Sequence, residues 1–188
     1  MRKLYVTRGI PGSGKSTLLQ SCGLEPYTLS PDALRLAMSA PVLDESGKLS
    51  ISAKNDRRVW ELLRELLEER MARGEVIAID ATHTTARYYN EYSQLAYKHR
   101  YEKYIVDLSD VPLETAKQQN QSRKEYQIVD DQALTDMHAR LQTLAYPKGW
   151  QVLRTVGDIE ETLHHPILDL SSYKTVHHIG DIQGCYTP

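Results

Sequence analysis

One short segment constrains this chain more than any other. Residues 9–17 read Gly-Ile-Pro-Gly-Ser-Gly-Lys-Ser-Thr and fit the pattern G-x-x-x-x-G-K-[ST]. An apolar strand pattern precedes the segment and an apolar helix pattern follows it. Glycines let consecutive backbone N–H groups turn toward an anionic phosphate, and the start of the next helix adds its positive end. The segment therefore predicts a nucleoside triphosphate site rather than an ordinary glycine turn.

Two side chains of this segment have roles that the pattern assigns. Lys15 reaches the β- and γ-phosphates as a point charge, and the Ser16 hydroxyl is a ligand for Mg²⁺. The sequence therefore predicts that ATP, or another nucleoside triphosphate, binds together with Mg²⁺. The residues expected to contact the nucleotide are Gly9, Gly12, Ser13, Gly14, Lys15, Ser16 and Thr17.

The rest of the chain alternates between strand and helix patterns. The longest helix pattern, over residues 53–73, repeats apolar side chains at spacings of three and four and stops at Gly74. Residues 40–52 are predicted to form a loop. The predicted strands cover residues 4–7, 25–29, 76–79, 103–108 and 150–156. This order predicts an α/β fold with a parallel sheet covered by helices on both faces.

Composition limits the classes of function. The 188 residues are 40% hydrophobic and 26% charged with a net charge of −2, which fits one globular domain plus a short extra segment. This charge excludes a strongly basic nucleic-acid coat but allows a local basic channel. Cys22 and Cys185 form no Cys-x-x-Cys pair, and the sequence has neither a membrane-length apolar run nor a signal-peptide core. We therefore expect a cytoplasmic protein with no membrane partner.

An acid and an arginine follow the second predicted strand. Ser30 and Pro31 are a strong helix start, and Asp32 and Arg35 lie three residues apart on one face of that helix. If the second strand lies beside the first, this face opens onto the phosphate cleft, where a carboxylate can aim an attacking hydroxyl at the γ-phosphorus. Spacing alone favours the plainer interpretation of an acidic first-turn residue and a solvated arginine.

A second acid, Asp80, ends the strand over residues 76–79. Carboxyl ends of strands line the ligand crevice in such sheets, so Asp80 is a candidate to bind Mg²⁺ through water or to support Arg35. The alternative is a loop-capping aspartate with Thr82 as its turn partner. Asp80, Thr82 and His83 are candidate substrate contacts, although a surface or packing role is favoured for His83.

Residues 120–124, Asn-Gln-Ser-Arg-Lys, form a polar stretch between two helix patterns. A loop there can fold over the nucleotide and bring Arg123 to the transferring phosphoryl group, where negative charge develops. A solvated basic loop is the equally supported alternative.

These motifs together resemble the 5′-kinase module of polynucleotide kinases, the bacteriophage end-healing enzyme and the kinase domain of bacterial RNA-repair polynucleotide kinase–phosphatases. The resemblance covers residues 1–156 and rests on the phosphate loop, residues 30–35, residues 80–82 and the Asn120-x-x-Arg123 lid. It implies a P-loop kinase fold with a lid, which transfers the γ-phosphate of an NTP to the 5′-hydroxyl end of RNA or DNA in nucleic-acid repair.

The resemblance also implies residue roles. Asp32 would be the general base for the hydroxyl, Arg35 would contact the acceptor-side phosphate, and Arg123 would stabilise the transferring phosphate. Two departures affect these contacts. His83 stands where members often have Asn, and Gln119 stands where the phage enzyme has another lid arginine.

The end of the chain has a separate resemblance. Residues 176–185 are similar to the opening strand and first metal motif of calcineurin-type metallophosphoesterases. Asp181 fits that motif, but Gln183 replaces its histidine, and the remaining metal motifs are absent, so we expect no phosphatase activity from this chain. The implied division is a kinase domain over 1–156, a linker over 157–170 and a truncated phosphoesterase start over 171–188, with a phosphatase domain as a candidate partner in a longer native chain.

Two rival functions stay open. One is a small-molecule P-loop kinase of the gluconate or antibiotic phosphotransferase type, which would have a closed acceptor pocket. The other is a nucleotide-binding regulatory module without catalysis, against which the acid in the acceptor cleft argues.

Overall fold

We analysed a computed structural model of the chain, which describes residues 2–43, 47–52 and 54–163. The proposed phosphoesterase start at 171–188 and the linker from residue 164 lie outside the described residues. The strands are β1 (Lys3–Arg8), β2 (Thr28–Leu29), β3 (Val42–Leu43), β4 (Leu49–Ser50), β5 (Ile77–Ile79), β6 (Glu102–Asp107) and β7 (Gln151–Leu153). The helices are α1 (Lys15–Ser21), α2 (Pro31–Met38), α3 (Asp56–Arg73), α4 (Ala86–His99), α5 (Leu113–Gln121), α6 (Asp131–Thr143) and α7 (Val156–Leu163).

Five strands form one parallel sheet in the order β2-β5-β1-β6-β7. Neighbouring residues of β1 point to opposite faces, so Leu4 and Val6 pack with α3 and α4, whereas Tyr5 packs on the other side with Leu19 of α1. Both faces of the sheet are thus covered by helices, which confirms the predicted α/β architecture.

The second strand does not lie beside the first, so the condition stated above for the Asp32–Arg35 face is not met. β5 lies between β1 and β2, with Thr28 opposite Ala78 and Leu29 opposite Ile79. The strand is also shorter than predicted because Glu25–Tyr27 forms a 3-10 helix with a proline at its start. The helix after β2 nevertheless begins at the carboxyl edge of the sheet, where α1 also begins.

Two further segments differ from their predicted form. The 40–52 loop contains β3 and β4, which pair antiparallel, and β4 contacts a short 3-10 helix at Glu125–Gln127. Residues 157–163, assigned above to a linker, form most of α7. Ile159 of this helix is fully buried in the core, and the Thr162 hydroxyl lies 2.8 Å from the Tyr5 hydroxyl. The apolar face of α7 therefore packs on the sheet instead of bridging to another segment.

Candidate active site

The phosphate loop joins β1 to α1 and is held by two left-handed glycines. Gly14 caps α1 with φ of 89°, and Gly12 has φ of 80°. A Cβ on Gly12 would lie 2.1 Å from the carbonyl oxygen of Ala116 in α5. Glycine at position 12 is thus required by close packing against α5 as well as by backbone conformation.

Lys15 lies inside the curve of the loop. Its Nζ donates a hydrogen bond to the Ile10 carbonyl oxygen at 2.7 Å. Burial lowers the pKa of Lys15 to about 8, an effect that the charge of Asp80 opposes and that of Arg123 reinforces. The charges of a bound triphosphate would favour the protonated form of Lys15. The loop therefore places a buried ammonium group where it can pair with a bound phosphate.

A serine and a carboxylate meet beside the loop. The Ser16 hydroxyl donates to Asp80 Oδ2 at 2.5 Å, and Thr7 Oγ1 lies 3.5 Å from Asp80 Oδ1. This meeting follows from the sheet order, since β5 pairs directly with β1 and delivers Asp80 next to the start of α1. Hydroxyl and carboxylate oxygens next to a phosphate site are a donor set that suits Mg²⁺, which also takes water and phosphate ligands. Among the described residues, no group of three or more His, Cys, Asp or Glu side chains could hold a metal ion by itself.

Across the cleft from the phosphate loop, Asp32 and Arg35 lie on α2, whose start is capped by Ser30. Arg35 Nη1 donates to Asp32 Oδ1 at 2.6 Å, and its Nε donates to Asp56 Oδ1 at 2.9 Å. Arg35 is therefore held between two carboxylates. Asp56 was not among the predicted site residues, because an acid in the first turn of a helix is ordinarily a dipole or capping residue.

The lid runs from the end of α5 to the start of α6. Arg123 Nη1 donates to the Gln127 carbonyl oxygen at 2.6 Å, which keeps the guanidinium over the cleft. Burial lowers the pKa of Arg123, while the charges of Asp32 and Asp80 raise it. Asn120 is fully buried and exchanges hydrogen bonds with the backbone of Val129, so it fastens the lid.

His83 lies away from the cleft. Its Nδ1 donates to the Thr7 carbonyl oxygen at 2.7 Å, and its Nε2 lies 3.3 Å from the Tyr92 hydroxyl. Burial lowers the pKa of His83 to about 4, so the ring is neutral near pH 7. These contacts describe the packing role rather than the substrate contact also considered for this residue.

Two cavities meet at Lys15 and Arg123. The first, about 790 Å³, lies over the phosphate loop and the lid and includes Gln119. The second, about 630 Å³, opens toward α2 and has apolar walls from Ile51 just after β4, from the lid and from α6. All the predicted nucleotide contacts except Gly9 line the first cavity; Gly9 sits beneath the loop, where its added Cβ would lie 2.5 Å from Ser13 Oγ. The second cavity brings together Lys15, Asp32, Arg35, Thr82 and Arg123, as well as Ile51, Asp56, Tyr126 and Ile128, which the sequence analysis did not single out.

Comparisons with known proteins agree with this architecture. Residues 4–144 match the family described as an AAA domain. A chain of the Pnkp1/Rnl/Hen1 RNA repair complex superposes with a TM-score of 0.61 at 20% identity, over 75% of this chain and 44% of that one. The present chain thus spans less than half the length of that RNA-repair chain.

Two other solved structures have similar folds. A sugar kinase from Janibacter sp. HTCC2649 has a TM-score of 0.55 at 20% identity, over 87% of this chain and 93% of its own. Chaetomium thermophilum Kti12, in complex with ADP-AlF3, has a TM-score of 0.56 at 14% identity, over 86% and 100%. At these identities the likeness shows a P-loop kinase-like fold. Comparison with curated proteins finds no match, and no described helix is long and apolar enough to cross a membrane.

Proposed function

Because the chain belongs to the AAA domain family and has a P-loop kinase-like fold, we propose that it transfers the γ-phosphate of ATP, or another NTP, to the 5′-hydroxyl end of RNA or DNA. One observation carries this proposal. Asp32, whose side chain is 48% exposed, lines a cavity that joins the phosphate-loop cavity at Lys15 and Arg123. A carboxylate on the far side of a phosphate site is where an acceptor hydroxyl would need a partner.

The donor half holds the triphosphate. Backbone N–H groups of the loop and the start of α1 face its phosphates, and Lys15 exchanges its bond to Ile10 for the β- and γ-phosphate oxygens. Ser16 and Asp80 are the side chains that would hold Mg²⁺, directly or through water. When bound, the ion neutralises charge on the β- and γ-phosphates.

The acceptor half positions the hydroxyl. Asp32 accepts the hydroxyl hydrogen, the acceptor oxygen bonds to the γ-phosphorus, and the bond from that phosphorus to the β–γ bridging oxygen breaks to release ADP. Asp32 needs little basicity, because the transition state is loose and alignment matters more than proton affinity. Arg123, which Gln127 holds over the junction of the two cavities, stabilises the charge that develops on the transferring group.

The polynucleotide acceptor is supported by the chemistry of the second cavity. Arg35 lines this cavity and can contact an acceptor-side phosphate through its planar guanidinium. Apolar side chains of Ile51, Tyr126 and Ile128 line the same cavity and suit a ribose and base. An acceptor phosphate at Arg35 would replace Asp56, which is half-exposed and able to move away.

A small-molecule kinase is the second candidate, and Arg35 supplies the observation that favours it. Two carboxylates, Asp32 and Asp56, already neutralise this guanidinium, which suits an uncharged polyol better than a phosphodiester. The sugar kinase with a similar fold is compatible with this alternative.

One transfer experiment separates the candidates. The protein is incubated with Mg²⁺ and γ-labelled ATP, and with a 5′-hydroxyl oligoribonucleotide, the matching oligodeoxyribonucleotide, or a panel of sugars and sugar acids. We expect label on the 5′-hydroxyl oligonucleotides and none on the same strands that already carry a 5′-phosphate. Label on a sugar with none on any oligonucleotide would overturn the proposal, and ATP hydrolysis without transfer to any acceptor would favour a nucleotide-binding role that does not include phosphoryl transfer to a substrate.

A further inference from the structure

A third cavity lies outside the site described so far. It has a volume of about 670 Å³ and follows the groove between α3 and α4. Asp56 lines both this groove and the acceptor cavity. The groove and the acceptor cavity therefore adjoin at Asp56, the carboxylate that contacts Arg35.

The floor of the groove is aromatic. Trp60 and Tyr88 stack with ring centroids 4.5 Å apart and planes inclined at 30°, and Tyr88 also stacks on Tyr92 at 6.5 Å. Buried His83 supports Tyr88 from below through an edge contact at 5.7 Å. Trp60 and Tyr88 are only half-buried, so part of this stacked pair, which we call the Trp60–Tyr88 platform, is open to solvent.

Arginines flank this platform. Arg57 and Arg87 pair with Glu61 and Glu91 one turn away, but their side chains are 94% and 82% exposed. Exposed pairs of this kind contribute little, so either guanidinium can turn to another anion at small cost. Arg64 also lines the groove, and its charge acts on Glu68 one turn away.

We propose that this groove holds the single-stranded acceptor just downstream of its 5′ end, with one nucleobase stacked on the Trp60–Tyr88 platform. The backbone phosphates would lie along Arg57, Arg64 and Arg87. A stacking surface with flanking arginines is the arrangement that binds single strands without regard to sequence, since every base has a flat face. The inference rests on the proposed function and names the part of the acceptor that this surface recognises.

The first test compares a long and a short acceptor. A short single-stranded 5′-hydroxyl oligonucleotide reaches the groove, whereas a nucleoside 3′-phosphate fills only the acceptor cavity. We expect Trp60→Leu to lower the ratio of kcat/KM for the oligonucleotide over kcat/KM for the nucleoside 3′-phosphate about tenfold, mainly through KM. Trp60→Phe, which keeps a stacking face, should restore most of that ratio.

Tyr97→Leu is the matched control, because Tyr97 lies on α4 with 90% exposure and outside the groove. It should leave the ratio as in the wild type. Partial misfolding would lower both rates and cancel in the ratio. If neither Trp60→Leu nor Tyr88→Leu changed the ratio of the two kcat/KM values, the proposal that the groove binds the acceptor strand would be wrong. Phosphorylation of both acceptors would still support the proposed function.

The second test locates the stacked base. An abasic position is moved one nucleotide at a time from the 5′ end, and KM is measured with wild type and Trp60→Leu. We expect one position at which base removal raises the wild-type KM about tenfold and raises the variant KM hardly at all. Equal effects in both proteins at every position would contradict the proposal. If wild type phosphorylates neither acceptor, the proposed function itself has failed.

Discussion

The donor and acceptor halves of the cleft are built differently. The donor cradle comes mainly from one continuous segment, residues 9–17, to which the lid adds Arg123 and β5 adds Asp80 beside Ser16. Its expected contacts with phosphate are mostly backbone N–H groups at the start of α1. The acceptor cavity draws on α2, α3, β4, the lid and α6, and its polar contacts are ion pairs between side chains.

This contrast bears on how each half can change. Backbone geometry is fixed by the glycines and by packing against α5, so the donor cradle has little freedom. Arg35 is held by two half-exposed carboxylates, and such contacts exchange partners easily. Specificity for the acceptor is thus expected to lie in the half that substitutions can alter most readily.

The largest expected effect is on the acceptor side, at Asp32. Asp32→Ala removes the carboxylate that both aligns the hydroxyl and takes its hydrogen, so transfer to a 5′-hydroxyl acceptor should fall about 10³-fold. The measurement is single-turnover transfer from labelled ATP, with ATP affinity determined by titration on the same protein.

ATP affinity should stay within about threefold of wild type, because Asp32 is on the acceptor side of Lys15. A loss of ATP affinity as large as the loss of transfer would place Asp32 in the donor half. The division of the cleft into a donor and an acceptor half would then be wrong.

The next effect tests how rigid the donor cradle is. Gly12→Ala combines a left-handed φ with a Cβ 2.1 Å from the Ala116 carbonyl, so the free energy of unfolding should fall by about 3 kcal/mol. Gly23→Ala is the matched control, since Gly23 also has positive φ but meets no atom within 4 Å, and should lose about 1 kcal/mol. If denaturant unfolding gave equal losses of stability for the two variants, α5 would have moved to accommodate the added methyl group at position 12.

A pH titration tests the charge at the centre of the cradle. The pKa of Lys15 is lowered to about 8 by burial, with Asp80 and Asp32 opposing and Arg123 reinforcing that shift. Bound phosphates raise this pKa, so binding takes up a proton once the free lysine is neutral. ATP affinity should be steady below about pH 7 and fall toward tenfold per pH unit above about pH 8.

Lys15→Arg provides the comparison, because a guanidinium stays charged across this range. Its ATP affinity, although weaker, should not vary with pH between about pH 7 and pH 9. A wild-type curve as flat as that of the variant would mean that Lys15 remains protonated in the free protein.

The smallest effect concerns the carboxylate that the sequence analysis missed. Asp56→Asn weakens one of the two contacts that neutralise Arg35, so KM for a nucleoside 3′-phosphate acceptor should fall about threefold. KM for any uncharged acceptor should not fall. A rise in KM for the phosphate-bearing acceptor would mean that Asp56 positions Arg35 instead of competing for it.

Local signals predicted much of the fold. The cap at Ser30 and the proline after it begin α2 as expected, and the three-and-four spacing buries Val59, Leu63 and Met71 on one face of α3. The neighbour of β2 could not be predicted from the sequence, because pairing partners in a sheet are not encoded in the order of strands. The apolar spacing of α7 was not recognised as a helix pattern, because the resemblance that set the domain boundary ended at residue 156.

By itself, the sequence determined the phosphate loop and the helix starts, since those depend on backbone conformations and caps that neighbouring residues dictate. Only the tertiary structure decided that β5 carries Asp80 to Ser16, that Asp56 reaches Arg35, and that Trp60 stacks on Tyr88. The physical reason is distance along the chain. A hydrogen bond between residues 21 or 64 positions apart, or a ring contact between two helices, forms only after the sheet and its helices have packed. No local sequence pattern indicates which partners that packing brings together.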